Sequence, residues 1–182
     1  MLILGKLITG SLLMDLNTFE LLARYNVWST QKLNQVLRNV SNDDFNAECG
    51  LYFKSIAGTL NHLLVGEHYL WFPRFLGKPS PILKLNTIIE NDKDKLIFQL
   101  EDKASNWISF LKCVDIEKFK YDLQYKTSTG KEMSLPYAET LLHVFNHGTH
   151  HRGQVTVALT SMGYDCPELD LVYMLIEENH HI

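Results

Sequence analysis

Four of the eight histidines, His143, His147, His150 and His151, fall within one short stretch near the C-terminal end of the chain. At a helical step of about 100° per residue, with His143 at zero, His147 lies at about 40°, His151 at about 80° and His150 at about 340°. All four share one sector of a helix, and Gln154 joins them at about 20°. His147 and His151 are an i, i+4 pair, with Cβ atoms about 5–6 Å apart. Two imidazoles so placed can converge on one first-row metal at about 2.0–2.1 Å. The competing interpretation is four packed, hydrogen-bonded core histidines, but clustered imidazoles cost desolvation and repel one another once charged. Gly148 follows His147 where a zincin helix carries a glutamate, so no built-in general base accompanies the pair. Two ligands do not complete a site. A third must come from elsewhere.

The elements that must position these residues are legible as periods. The histidine stripe belongs to a fourth long helix, with Pro136 in its first turn, Glu139 near its positive end and a stop near Gly163. A second helix runs from an N-cap at Ser55 to about Phe75, with Pro73 kinking or ending it. It carries His62, the candidate third ligand, although a lone histidine on an apolar face is more often a core residue. Gly66 lies about 40° from His62 and Tyr69 about 20° on its other side, whereas Glu67 and His68 are about 140° and 120° away. A first helix spans about Asn17 to Val40, with Asn17 and Glu20 in a capping-box pattern. Its apolar stripe includes Asn26 and Thr30, which must either face a site or hydrogen-bond another helix. Ser41 to Asp44 reads as the cap of a short helical turn. A third helix is expected from a Thr87 cap to Val114, with a seam at Ile89, Leu96, Leu100, Ala104, Trp107, Leu111 and Val114 and a solvated charged face from Glu90 to Lys95. Alternation between Lys120 and Leu135 around Ser128-Thr129-Gly130 indicates a small hairpin, and a last short helix covers about Leu169 to Glu178. The fold class is therefore all-α, an antiparallel four-helix bundle with a small extended hairpin before the fourth helix and a short C-terminal helix.

At 182 residues the chain fits one domain. Residues 1–13, apolar with glycines at Gly5 and Gly10, read as an N-terminal extension, with Met14 an alternative start. They are too short to span a bilayer and show no small-residue cleavage site. Residues 14–182 form the single domain. A net charge of −4 provides no basic footprint for nucleic acid. Cys49, Cys113 and Cys166 are odd in number and widely spaced, which fits a reducing cytoplasm and neither a disulfide framework nor a metal clip.

Three blocks then carry a resemblance. They are Ala23-Arg24-Tyr25-Asn26-Val27-Trp28, Thr59-Leu60-Asn61-His62-Leu63-Leu64 and, most specifically, the run from Leu142 to Gln154. The chain resembles the DinB/YfiT-like family of metal-dependent four-helix-bundle proteins from about Met14 to Ile176. The resemblance implies a divalent metal held by His62, His147 and His151. Zinc or nickel is expected, with iron or manganese as alternatives. Three neutral histidines with an open position are the usual arrangement of a catalytic metal. Asn26, Tyr69, His143, His150 and Gln154 are candidates for the surrounding shell or substrate pocket, and Gln154 is placed to orient a ligand or water. Arg152, about 140° from His147, is assigned to an ion pair or interface. By resemblance the activity is that of a thiol-dependent S-transferase acting on a small electrophile with a low-molecular-weight thiol cosubstrate. The alternatives are a hydrolase using metal-bound hydroxide and a non-catalytic, stress-related metal-binding protein. No general base is assigned. A homodimer is expected from the resemblance alone; no nucleic-acid or membrane partner is.

Overall fold

The structure, a computed structural model, describes residues 16–127 and 129–180. The expected extension over residues 1–13, the alternative start at Met14 and the turn residue Ser128 lie outside the described residues. The fold is a mostly helical bundle with one two-stranded hairpin.

Helix α1 spans Leu16–Leu37. Ser41 then caps the short α2, Asn42–Asn46, its hydroxyl accepting the Asp44 N–H at 3.0 Å. Ser55 caps α3, Ile56–Leu63, by accepting the Gly58 N–H at 3.0 Å. A Cβ on Gly58 would overlap the Phe53 carbonyl oxygen, so loop and helix meet backbone to backbone there. Without a break, α3 passes into a π-helical segment, Leu64–Trp71, and then into α4, Phe72–Phe75. The Phe72 N–H reaches back five residues to the Glu67 carbonyl. This second long helical element ends at Phe75 as its sequence indicates, with Pro73 in its last turn just past the π segment.

The third long helix is shorter than its sequence indicates. Helix α5 spans Lys93–Leu111 and is capped by Asp92, not Thr87; the Asp92 carboxylate accepts the Lys95 N–H at 2.9 Å. Residues before it are taken by a tertiary contact. The Asn61 side-chain oxygen accepts the N–H groups of Ile89 (2.8 Å) and Glu90 (3.0 Å), while its amide donates to the Glu90 carbonyl at 2.9 Å. That exchange satisfies backbone groups which a helical turn would otherwise have paired. Within α5 the seam residues Leu96, Leu100, Ala104, Trp107 and Leu111 are buried, as their spacing requires, whereas Ile89 and Val114 lie outside the helix and are only half-buried. Lys93, expected on a solvated face, instead donates to the carbonyls of Val40 (2.6 Å) and Arg38 (3.2 Å), closing the end of α1.

A 3-10 turn, Ile116–Lys120, leads to strands β1, Asp122–Lys126, and β2, Glu132–Pro136. They pair antiparallel with Leu123 opposite Leu135 and Tyr125 opposite Met133. Helix α6, Tyr137–Ser161, carries the histidine stripe, and Gly163 follows it with φ of 81°. Helix α7, Leu171–His180, returns to α1: the Trp28 indole donates to Glu177 at 2.8 Å, and the Tyr25 hydroxyl donates to the Leu169 carbonyl at 2.6 Å.

The apolar core is in two parts. One gathers Leu33, Leu37, Ile56, Leu60, Leu96 and Leu159. The other gathers Phe19, Phe75, Trp107, Tyr137 and Phe145. The buried polar residues Asn26, Glu67, His68 and Arg152 lie on the same helices between these groups. The three cysteines are free. Among the described residues no helix is long and apolar enough to cross a membrane.

Candidate metal centre

The rings of His62 from α3 and of His147 and His151 from α6 meet at the floor of a cavity of about 530 Å³. One ring nitrogen from each lies within 4.8 Å of the others. The Nε2 atoms of His62 and His147 are 2.9 Å apart. These separations bracket the roughly 3.3 Å expected between two nitrogens bound tetrahedrally at about 2.0–2.1 Å. His62 uses its Nδ1 on the Leu85 carbonyl at 2.8 Å, and His151 uses its Nδ1 on the Gln154 side-chain oxygen at 2.7 Å. Both acceptors are carbonyl oxygens, so each Nδ1 must carry the proton and each Nε2 presents a bare lone pair. The donor set therefore fits a divalent cation of borderline softness, with orienting acceptors in place for His62 and His151, while the buried His147 Nδ1 has no partner among the described residues.

Electrostatics keep the rings neutral. Burial, together with the neighbouring His151, His62, His143 and His150, pushes the His147 pKa down to about 3. Burial pushes His151 down to about 4 against the opposing Gln154 hydrogen bond. His62 is also lowered by burial, opposed by its bond to Leu85. A metal would thus meet little competition from protons near neutrality.

The remaining expected residues separate into two groups. His143 and His150 reach the cavity: His143 stands edge-on to Trp71 at 5.6 Å and His150 to His151 at 4.8 Å. Gly66 also lines it, where a Cβ would come within 3.4 Å of the His147 ring. Tyr69 does not. Its hydroxyl points toward Gln99 on α5 at 3.5 Å, and Lys103 lies over its ring at 5.5 Å. The reason is the π segment, in which each residue turns the helix by less than the α step, so its face slips by about one residue over the segment. Leu70, Trp71 and Arg74 consequently line the cavity in place of Tyr69.

Asn26 lies outside the cavity lining as well. It is buried between helices, accepting from Arg152 Nη1 at 2.6 Å and donating to Glu67 at 3.4 Å. Arg152 is accordingly part of an internal charge contact. Burial raises Glu67 to about 7, with Arg152 and Asn26 opposing the rise. Gly148 makes room for this cluster: a Cβ there would stand 2.6 Å from the Glu67 carboxylate and 2.9 Å from the Arg152 guanidinium.

Sequence periodicity missed Phe53, which stacks on His62 with ring centroids 3.8 Å apart, and the hairpin residue Tyr125, which meets Trp71 at 5.2 Å. It also missed the Leu85 carbonyl. Loop residues and main-chain acceptors have no period to reveal them.

A helical bundle whose second and fourth long helices bring three neutral imidazoles to an open cavity defines the class: a histidine-cluster bundle with the means to hold a metal. A profile of the DinB family matches residues 14–180, and the chain belongs to that family. Protein DinB of Bacillus subtilis (strain 168) is 32% identical over 149 residues, covering 79% of this chain and 85% of that protein. The crystal structure of a DinB-like protein from Bacillus cereus ATCC 10987 shares the fold, with a TM-score of 0.61 at 17% identity, over 84% of this chain and 95% of that one.

Proposed function

We propose that this protein is a metal-dependent enzyme of the thiol-dependent S-transferase type, with His62, His147 and His151 as ligands of one divalent ion. The observation that carries the reading is the convergence of three neutral ring nitrogens on the floor of an open cavity. A bound ion of this kind supplies Lewis acidity, lowering the pKa of a thiol or of water placed in its open position.

The protein's own groups favour a thiol over water. Among the described residues no Asp or Glu lines the cavity, so none of their carboxylates is placed to take a proton from a weakly acidic nucleophile. A thiol, with an ordinary pKa of about 8.5, needs far less help. Gln154 and the Leu85 carbonyl hold two of the rings in one tautomer. Phe53 covers a face of His62 and keeps water from that side. His143, held neutral by burial, offers a ring nitrogen at the cavity wall as a proton acceptor. A second cavity of about 500 Å³ shares Tyr52, Phe53 and Leu85 with the first, which is room for two small reactants side by side.

Elemental analysis of protein purified without a histidine tag tests the first half of the reading, with about one ion per chain expected. A thiol-consumption assay with a monochlorobimane-type electrophile tests the second. Turnover is expected with metal-loaded protein and is expected to disappear, along with the metal, in His147→Ala. Retention of metal without turnover over a broad panel of thiols and esters would leave a metal-binding protein and no enzyme.

A further inference from the structure

One cavity residue is not used by the metal reading. Arg74, on α4, is only 7% exposed, yet its side chain forms no hydrogen bond or ion pair with any described residue. Its guanidinium carbon lies 4.7 Å from the ring centroids of both Trp71 and Tyr125. Among the described residues lining the cavity that holds the histidine triad, it is the sole lysine or arginine, and none of them is a carboxylate.

A mostly buried arginine whose Nε has no partner and whose guanidinium has no counter-charge among the described residues is costly, and two aromatic neighbours recover only part of that cost. If its task were only to pin the hairpin to the helix, an apolar side chain of similar volume would do so at lower cost. What an arginine adds is a planar set of N–H donors that matches a carboxylate in two parallel hydrogen bonds. The apolar part of the wall includes Phe53, Leu70, Trp71, Leu85 and Tyr125, which suits an apolar or unsaturated body.

We propose that Arg74 recognises a carboxylate on the small molecule that occupies the cavity, so that the substrate or thiol cosubstrate is an organic acid with an apolar body. This rests on the reading of the cavity as a substrate site, but its test does not require metal or turnover. The probes are 3-phenylpropionate and its uncharged amide, titrated calorimetrically into chelator-stripped and metal-loaded protein. The acid is expected to bind roughly tenfold or more tightly than the amide in both forms, as a charge-assisted pair implies. Arg74→Gln is expected to bring the acid down to the affinity of the amide, leaving the affinity for the amide and the metal content unchanged. Arg74→Lys is expected to keep part of the preference. Equal binding of acid and amide by the wild type overturns the proposal, as does absence of binding by both. A preference that vanishes on stripping the metal places the carboxylate on the ion and also overturns it. So does a preference that survives Arg74→Gln. Should Arg74→Gln fail to fold, the wild-type comparison in metal-free protein still decides. Failure of the enzyme reading, by contrast, appears as lack of turnover with this binding preference intact.

Discussion

Gly148 shows how much a single position can be constrained by neighbours distant in sequence. On a helical wheel it reads as a small residue between ligands, or as the place where a zincin would put its glutamate. In the fold it is the gap into which Glu67, Arg152 and Asn26 fit. Those are buried polar groups with limited freedom to retreat, so Gly148→Ala is expected to destabilise the protein by about 1–3 kcal/mol, despite the better helix propensity of alanine. Urea unfolding of metal-free protein reads this directly, and an unchanged midpoint would remove the steric account. The histidine triad was legible for a related reason: α6 is regular throughout, and His62 lies before the π segment, so both wheels are in phase where they matter. Beyond Leu64 the phase is lost, and with it Tyr69, Trp71 and Arg74 were misplaced or overlooked.

At the level of elements, the start of α5 exposes a contest between local signal and tertiary capture. Thr87 and Glu90 have capping-box spacing, and nothing in the local sequence speaks against a helix there. Asn61, remote in sequence, takes the Ile89 and Glu90 backbone first. Asn61→Ala removes four hydrogen bonds from a part-buried site, three of them to the Ile89 and Glu90 backbone, and is expected to cost about 2–3 kcal/mol. Hydrogen exchange at the Ile89 and Glu90 amides should accelerate more than exchange within α5; uniform acceleration would argue for a global effect instead. The same strap carries Leu85, whose carbonyl fixes His62. The hairpin is the opposite case. Its alternation at Leu123 and Tyr125 was readable, but that Tyr125 would wall the cavity depended on which helix it met.

For the molecule as a whole, acid sensitivity follows from its buried histidines. Burial, with a minor contribution from Lys103, holds His68 neutral, its pKa pushed down to about 3. Its 3.8 Å approach to Glu67 is therefore a contact with a neutral ring near pH 7, not an ion pair. A histidine whose folded pKa lies below its unfolded value of about 6.5 gives stability that is present above that value and lost as pH falls toward the folded pKa. Glu67 acts in the opposite sense: raised to about 7 by burial, it costs stability as pH rises from about 4.5. Metal-free protein should lose stability between pH 6.5 and 4, with the buried histidines outweighing one carboxyl, and His68→Phe should flatten the slope. Urea midpoints across that range check this; a steeper slope in the variant would contradict the assignment.

The polar cluster between the two apolar groups also restricts how the helices slide along one another. Apolar faces tolerate axial slippage, because one leucine surface resembles the next. Arg152, Asn26 and Glu67 do not, since a shift of one helical turn would leave a guanidinium facing hydrocarbon. The depth at which the imidazoles stand, and so the alignment of α3 with α6, is thereby set by side chains that meet no ligand.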